Sequence, residues 1–250
     1  MTVIVGVLCS DGVVIGSDSS ATFGLINLPT VEQGPVTKVF NIKGCGIMAG
    51  TGSVGLLQRF RADLEKNWKP ESYTGKRKEE IGVIIAQSAI QNFNQTYCSP
   101  PQIPVDFKFG ALFSFFHNNE FHLIEFDPVT FQPEFKENHS IWYASMGSGM
   151  AIADSFLGLI RKVYWKDGTR PKLAHARTFV SWALDHAIDV NPGGINGPAQ
   201  IAVLEKKDGG GKVRILTVDE LQECASGVKK IEEHMQSFFN PPAPPKIPNA

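Results

Sequence analysis

The fold is set by Thr2-Val-Ile-Val-Gly-Val-Leu-Cys9, followed by Ser10-Asp11-Gly12 and then by Val13-Val-Ile-Gly-Ser-Asp18. Both apolar runs are rich in β-branched residues, which favour strands, and their unbroken hydrophobicity predicts strands that are buried on both faces. The Asp-Gly pair supplies the positive φ that a tight hairpin requires. We therefore predict that the chain enters a buried hairpin almost at its first residue.

Further hairpins and helices follow in blocks. After a polar loop predicted from residue 19 to about 35, a second hairpin is followed by two helices, then by more strands, two more helices, a last hairpin and a closing helix over 226–238. Strands that come in hairpins and helices that come in blocks predict an antiparallel α+β layering rather than an alternating parallel fold. We predict one domain over residues 1–239 and a Pro-rich, extended or disordered tail over 240–250.

Composition excludes several classes of function. The chain has 250 residues, of which 42% are hydrophobic and 20% charged, and its formal charge of -1 gives no basic stripe for nucleic acid. No run of eighteen apolar residues predicts a membrane span, and no signal peptide is recognisable. Four cysteines, none in a Cys-x-x-Cys pair, predict free thiols in a reducing, cytoplasmic compartment and no zinc site (Cys9, Cys45, Cys98 and Cys224).

Several segments, taken in order, resemble the mature β-type subunit of the proteasome, and the resemblance covers the chain to about Phe239. The segments are Thr2 with its strand and Gly16-Ser-Asp18, Thr37-Lys38-Val-Phe-Asn-Ile42, Ile47-Met-Ala-Gly50 before a helix at Ser53, Ala144-Ser-Met-Gly-Ser-Gly149, and Asp189-Val-Asn-Pro-Gly-Gly194. Their order and spacing together carry the resemblance, which fits a divergent bacterial homologue of the proteasome.

The resemblance implies an N-terminal-nucleophile (Ntn) hydrolase with a four-layer αββα sandwich, acting as a threonine peptidase without cofactor or metal. Carried over residue by residue, it makes Thr2 the nucleophile after removal of Met1, Asp18 and Lys38 its activators, and Gly50 the backbone donor to the oxyanion. It further implies that Ser148 and Asp189 support the N-terminus and that Thr22 and Met48 contact the substrate.

Elementary chemistry supports this assignment of Thr2. A threonine hydroxyl is a poor nucleophile without an adjacent base, and a free α-amine has a reference pKa near 7.7–8.0, so part of it is neutral at cell pH. A nearby Lys38 ammonium would lower the pKa of both groups, and Asp18 is the carboxylate expected to pair with that lysine. Whether the amine or Lys38 takes the hydroxyl proton stays open.

Each residue also has a structural interpretation. Thr2 alone is an ordinary strand residue, Lys38 could be an edge lysine, Ser148 a helix N-cap, Gly50 a packing glycine, and Asp189 part of a loop. Two positions depart from the family pattern: Ser20 stands where an arginine is usual, and Pro192 where a serine is usual.

The resemblance implies a homo-oligomeric double ring that degrades peptides or unfolded proteins, with an unfoldase ATPase as a possible partner. Two alternatives stay open at this point. An Ntn amidase or acyltransferase acting on a small molecule would use the same nucleophile, because a fold does not determine a function. A weakly active or inactive structural ring subunit would have the same fold without depending on this nucleophile.

Overall fold

A computed structural model describes residues 1–25, 28–33, 35–94, 109–137, 141–165, 168–191 and 194–239. In chain order the elements are β1 (Ile4–Leu8), β2 (Gly12–Ser17), β3 (Ala21–Leu25), β4 (Leu28–Gln33), β5 (Val39–Ile42), β6 (Gly46–Gly52), α1 (Val54–Asn67), α2 (Lys78–Asn94), β7 (Phe109–His117), β8 (Glu120–Phe126), β9 (Pro133–Phe135), β10 (Tyr143–Met146), α3 (Met150–Tyr164), α4 (Leu173–Val190), β11 (Gln200–Lys207), β12 (Gly210–Ile215) and α5 (Val218–Phe239). The tail predicted over 240–250 lies outside the described residues.

Two five-stranded antiparallel sheets form the centre of the molecule. One has the order β10-β1-β2-β11-β12 and the other the order β5-β6-β7-β8-β9, while β3 and β4 form a separate hairpin. The predicted first hairpin is β1–β2, in which Ile4 lies opposite Ser17. Both of its strands are fully buried, as their continuous hydrophobicity predicts.

The sheets pack face to face between two layers of helices, which is the four-layer αββα sandwich expected of an Ntn hydrolase. Apolar residues of both sheets and of α3 and α4 form one core, which includes Val3 and the β1 residues Ile4 and Val5. A second, aromatic core lies between the other sheet and helices α1 and α2, with Phe60 and Trp68 at its centre.

Two predicted elements are corrected by the structure. The polar loop expected over 19–35 contains the hairpin β3–β4, whose glycine and proline residues concealed its strand pattern. The closing helix starts at Val218 rather than Ser226, because Thr217 and Glu220 form a reciprocal capping box. The Thr217 N–H donates to Glu220 Oε2 at 2.9 Å, and the Glu220 N–H donates to Thr217 Oγ1 at 3.3 Å.

Within the described part of the chain, every helix is too short or too polar to cross a membrane.

Candidate functional site

The first hairpin places Thr2 beside Asp18. The Val3 N–H donates to Asp18 Oδ1 at 3.0 Å, and the Asp18 N–H donates to the Val3 carbonyl at 3.2 Å. Ser17 Oγ donates to the same carbonyl at 2.8 Å. The antiparallel register therefore holds the backbone next to Thr2 from both sides, and the N-terminal segment is tied down where chain ends usually fray.

Lys38 joins this pair from the loop before β5. Its Nζ lies 2.8 and 2.9 Å from the two carboxylate oxygens of Asp18 and 3.2 Å from Thr2 Oγ1. An ammonium has three N–H donors, so it can bridge a carboxylate and a hydroxyl at once. Its backbone is held as well, because the Lys38 N–H donates to Gln200 Oε1 at 3.0 Å while the Gln200 amide donates to the Val36 carbonyl.

Burial determines the electrostatics of this pair. Asp18 is 0% exposed and Lys38 is 6% exposed. Burial lowers the pKa of Lys38 below its ordinary value, and the charge and hydrogen bonds of Asp18 oppose this effect without cancelling it. Lys38 is thus a buried ammonium that releases its proton more readily than a lysine in water.

Ser20, which stands where the family usually has an arginine, also contacts Asp18. Its N–H donates to Asp18 Oδ2 at 3.1 Å, and its Oγ lies 3.0 Å from the same oxygen and 2.7 Å from the Gly194 carbonyl. Ser20 thereby links the carboxylate to the loop after α4. From the sequence alone, Ser20 is named only as a departure from the family pattern and is given no role. The run of serines around Asp18, directly after a buried strand, could have indicated that these hydroxyls hydrogen-bond the carboxylate.

The turn between β10 and α3 closes on Thr2 from the opposite side. The Thr2 N–H donates to Ser148 Oγ at 3.1 Å, and the Gly149 N–H donates to the Thr2 carbonyl at 3.1 Å. Gly147 has a φ of +90°, and a Cβ there would lie 2.3 Å from the Thr2 carbonyl oxygen, so only glycine fits. The N-cap of α3 is Gly149 rather than Ser148, which leaves the serine hydroxyl for Thr2.

Met1 covers the hydroxyl of Thr2. Thr2 Oγ1 donates to the Met1 carbonyl at 2.8 Å, and Lys38 Nζ lies 3.4 Å from that carbonyl. With Met1 attached, the nitrogen of Thr2 is an amide that cannot accept a proton. Removal of Met1 would turn this nitrogen into an amine beside Ser148.

A cavity of about 560 Å³ opens in front of Thr2. Strand β6 forms one wall, and its partner β5 starts at Val39 opposite Ala49, so the segment from Gly50 to Gly52 continues past the end of β5. A Cβ on Gly50 would lie 2.5 Å from a methyl carbon of Leu57 and 2.9 Å from the ring of Phe109, so any larger residue there would require these side chains to move. The cavity is lined by Met1, Thr2, Ser20, Val36, Thr37, Lys38, Phe40, Gly50, Thr51, Gly52, Val54, Leu57, Gln58, Arg61 and Ser148.

The structure brings together Thr2, Asp18, Lys38 and Ser148, with Gly50 in the cavity wall, but it separates other predicted residues from them. Met48 is 0% exposed and lies in the aromatic core outside the cavity wall, because it sits two residues deeper in β6 than Gly50, where α1 and α2 cover the sheet. The expectation that Met48 shapes the pocket is therefore corrected.

Two further residues were predicted to belong to the site, Asp189 and Thr22. Asp189 is exposed in the last turn of α4, not in a loop, and its charge acts on Asp185, whose pKa is raised by burial and by that charge. No described contact joins Asp189 to Thr2. Thr22 lies in β3 opposite Glu32, and its predicted contact with substrate stays a prediction.

The described residues contain no group of three or more His, Cys, Asp and Glu side chains placed to share a metal ion.

Comparisons with known proteins give matches that cover most of the chain. A sequence model of the family described as "Proteasome subunit" matches residues 2–195. The chain is 29% identical over 172 residues to a proteasome subunit beta of Nanoarchaeum equitans, an alignment that covers 68% of this chain and 77% of that protein. It is 36% identical over 95 residues to proteasome subunit beta 1 of Thermococcus gammatolerans, which covers 36% of this chain and 42% of that one.

A solved structure shares the fold. The Anbu (Gly-1) mutant from Hyphomicrobium sp. strain MC1 superposes with a TM-score of 0.66 at 11% identity, covering 99% of this chain and 100% of that chain.

Proposed function

This chain belongs to the proteasome subunit family, and on that premise we propose that it is a threonine peptidase whose nucleophile is Thr2 after removal of Met1. The observation that carries the proposal is the position of Lys38 Nζ, which bridges the Asp18 carboxylate and Thr2 Oγ1 at the edge of a cavity. A structural ion pair would need neither the hydroxyl nor the cavity.

The first chemical step is attack of Thr2 Oγ1 on the carbonyl carbon of a peptide bond. The hydroxyl proton passes to the freed α-amine of Thr2, directly or through a water, while the buried Lys38 ammonium stabilises the developing alkoxide. The alternative acceptor is Lys38 in its neutral form, which its lowered pKa makes more accessible. Negative charge collects on the carbonyl oxygen, where the Gly50 N–H is the proposed donor, a contribution on the order of 3 kcal/mol.

The second half of the reaction regenerates the enzyme. The carbon–nitrogen bond breaks, the leaving amine takes the proton that the base held, and an ester joins the acyl group to Thr2. A water molecule then gives a proton to the same base and attacks the ester carbon. The bond between that carbon and Thr2 Oγ1 breaks, Oγ1 takes the proton back from the base, and the carboxylic acid leaves. Ser148 would hold the amine in place throughout, because its Oγ already contacts the Thr2 nitrogen.

Family membership also supports self-association. We propose a homo-oligomeric double ring in the cytoplasm that encloses its sites and receives unfolded polypeptides from an unfoldase. The amidase alternative predicts a different particle, namely a small oligomer with an open cavity that hydrolyses small amides and leaves peptides intact. Native mass spectrometry and a peptide assay on one preparation distinguish the two.

The direct test combines the intact mass with Thr2→Ala. We expect the purified chain to lack Met1, and Thr2→Ala to lower kcat for fluorogenic peptides by at least about 10³-fold, since it removes the nucleophile itself. Thr74→Ala is the matched control, because Thr74 lies on an exposed turn outside the cavity wall. A retained Met1 in an active particle, or unchanged hydrolysis by Thr2→Ala, would rule Thr2 out.

A further inference from the structure

One side of the cavity in front of Thr2 is a face of helix α1. Val54, Leu57, Gln58 and Arg61 all line it, and their spacing of three and four residues places them on one side of the helix. Phe40, in β5, lines the cavity opposite this face. It comes two residues after Lys38, which places it roughly 7 Å further from the ion pair of Lys38 and Asp18. The cavity therefore runs from Thr2 past an apolar middle to Arg61.

Arg61 is held in place by two contacts. Its guanidinium carbon lies 4.5 Å from the centroid of the Phe40 ring, and its Nε donates to Glu65 Oε1 at 2.7 Å. Stacking on an aromatic ring and one charged hydrogen bond orient the planar group. A guanidinium has five N–H donors, so one bond through Nε leaves the remaining fork for an acidic group.

The charges around the cavity are unequal. Its described lining holds two cations, Lys38 and Arg61, and no carboxylate. Lys38 is already neutralised by Asp18 at 2.8 Å, whereas Glu65 offsets Arg61 from outside the lining. A substrate side chain that enters the cavity therefore encounters the positive charge of Arg61. Because the guanidinium is half-exposed, it loses little hydration when it binds an acidic side chain.

We propose that Arg61 makes this cavity selective for a glutamate side chain on the residue whose carbonyl Thr2 attacks. The inference rests on the proposed peptidase function, because only attack at Thr2 places that residue beside this cavity. Glutamate extends one methylene further along the apolar middle than aspartate, and at its end a carboxylate would form paired hydrogen bonds with the guanidinium. A leucine side chain would pack in the apolar middle of the cavity without a contact to the guanidinium, and a lysine side chain would be repelled by the positive charge of Arg61.

The test uses the mature, assembled particle and four blocked fluorogenic peptides that differ only in the residue before the scissile bond: Glu, Gln, Leu or Lys. Glutamine matches glutamate in shape, so the ratio of their kcat/KM values isolates charge. We expect the wild type to favour Glu over Gln by roughly tenfold, the effect of one charge-assisted contact at a half-exposed site. Arg61→Gln should bring the ratio near one, and Arg61→Glu should shift the preference to Lys.

Arg59→Gln is the control, because Arg59 lies on the same helix outside the cavity lining and should leave the ratio unchanged. If the wild type cleaves the peptides without preferring Glu, or if Arg61→Gln keeps the preference, this inference is overturned and the peptidase proposal stands. If no peptide is cleaved by a particle that lacks Met1, the peptidase proposal itself is overturned and the inference falls with it.

Discussion

Two buried lysines lie in different parts of this sandwich and differ in what surrounds them. Lys38, at the N-terminal site, is 6% exposed, and Lys136, which follows β9 in the other sheet, is 7% exposed. Lys38 has one carboxylate, Asp18, and a threonine hydroxyl. Lys136 has two carboxylates, Glu125 at 2.7 Å and Glu134 at 2.6 Å.

The number of carboxylates decides the direction of each pKa shift. Burial lowers the pKa of both lysines, but only at Lys136 do the hydrogen bonds and charges of two glutamates outweigh it, so that the pKa rises above its ordinary value. At Lys38, burial prevails over a single aspartate and the pKa falls. Equal burial thus accompanies a raised pKa at Lys136 and a lowered pKa at Lys38, which is the difference we expect if only Lys38 takes part in the proposed proton transfer.

The largest expected effect comes from removing each lysine's charge. Lys38→Met should lower kcat for peptide hydrolysis on the order of 10²–10⁴-fold, because the hydroxyl of Thr2 loses its activating ammonium. Lys136→Met should leave kcat of the folded fraction within a few-fold of the wild type. Steady-state hydrolysis, normalised to folded protein by circular dichroism, measures both.

A folding control accompanies that experiment. Lys38→Met leaves Asp18 buried without its partner, so the double variant with Asp18→Asn restores a neutral site and should fold while staying inactive. Activity of Lys38→Met within tenfold of the wild type would contradict the distinction between the two lysines.

The next effect concerns stability. Asp18→Asn leaves Lys38 buried without a carboxylate and should lower the free energy of unfolding by about 3–5 kcal/mol at neutral pH. Glu125→Gln leaves Lys136 with Glu134 and should cost clearly less. Urea unfolding followed by tryptophan fluorescence gives the free energy of unfolding of each variant. If Asp18→Asn and Glu125→Gln lost the same amount, Glu134, the glutamate that remains beside Lys136, would contribute nothing.

Acid should act mainly on the half of the molecule that contains Lys136. His122 is buried near it on β8, and burial lowers the pKa of His122 to about 4. The unfolded chain, with a histidine pKa near 6.5, takes up the proton first, so stability falls as pH drops from about 6.5 to about 4 and no further below that. The loss through this residue is about 3 kcal/mol at most.

Urea midpoints measured between pH 7 and pH 4 check this prediction. His122→Gln should flatten the dependence, with His175→Gln on the exposed side of α4 as the matched substitution. The ionisable groups that act on the His122 ring, Glu120, Lys78 and His117, stay in place in both variants. An unchanged pH dependence in His122→Gln would place the acid-sensitive group elsewhere.

The sequence predicts the first hairpin from a local signal, whereas the four-layer fold and the residues of the site are predicted from the resemblance to proteasome β subunits. The Asp-Gly turn fixes the register of β1 and β2, and that register alone brings Asp18 beside Thr2. The capping box of Thr217 and Glu220 is also a local signal, and it starts α5 at Val218, ahead of the predicted start at 226.

Other features depend on contacts between distant segments, which spacing does not reveal. The contact of Ser20 with Gly194 spans 174 positions of the chain, and that of Lys38 with Gln200 spans 162. Met48 was misplaced for a related reason: alternation along β6 gives the face of the sheet, but only the position of α1 shows where the cavity ends and the core begins.

The smallest expected effect compares two buried serines, one in the site and one in the opposite sheet. Ser20 Oγ lies within hydrogen-bonding distance of Asp18 and Gly194, while Ser114 Oγ on β7 is buried with no hydrogen-bond partner among the described residues. Ser20→Ala should lower the free energy of unfolding by about 1 kcal/mol, because two acceptors lose a partner in a buried place. Ser114→Ala should be neutral or slightly stabilising, since it removes a polar atom that gains nothing from burial. Urea unfolding of the two variants measures both losses, and a Ser20→Ala variant as stable as the wild type would mean that the hydroxyl of Ser20 does not help to hold Asp18.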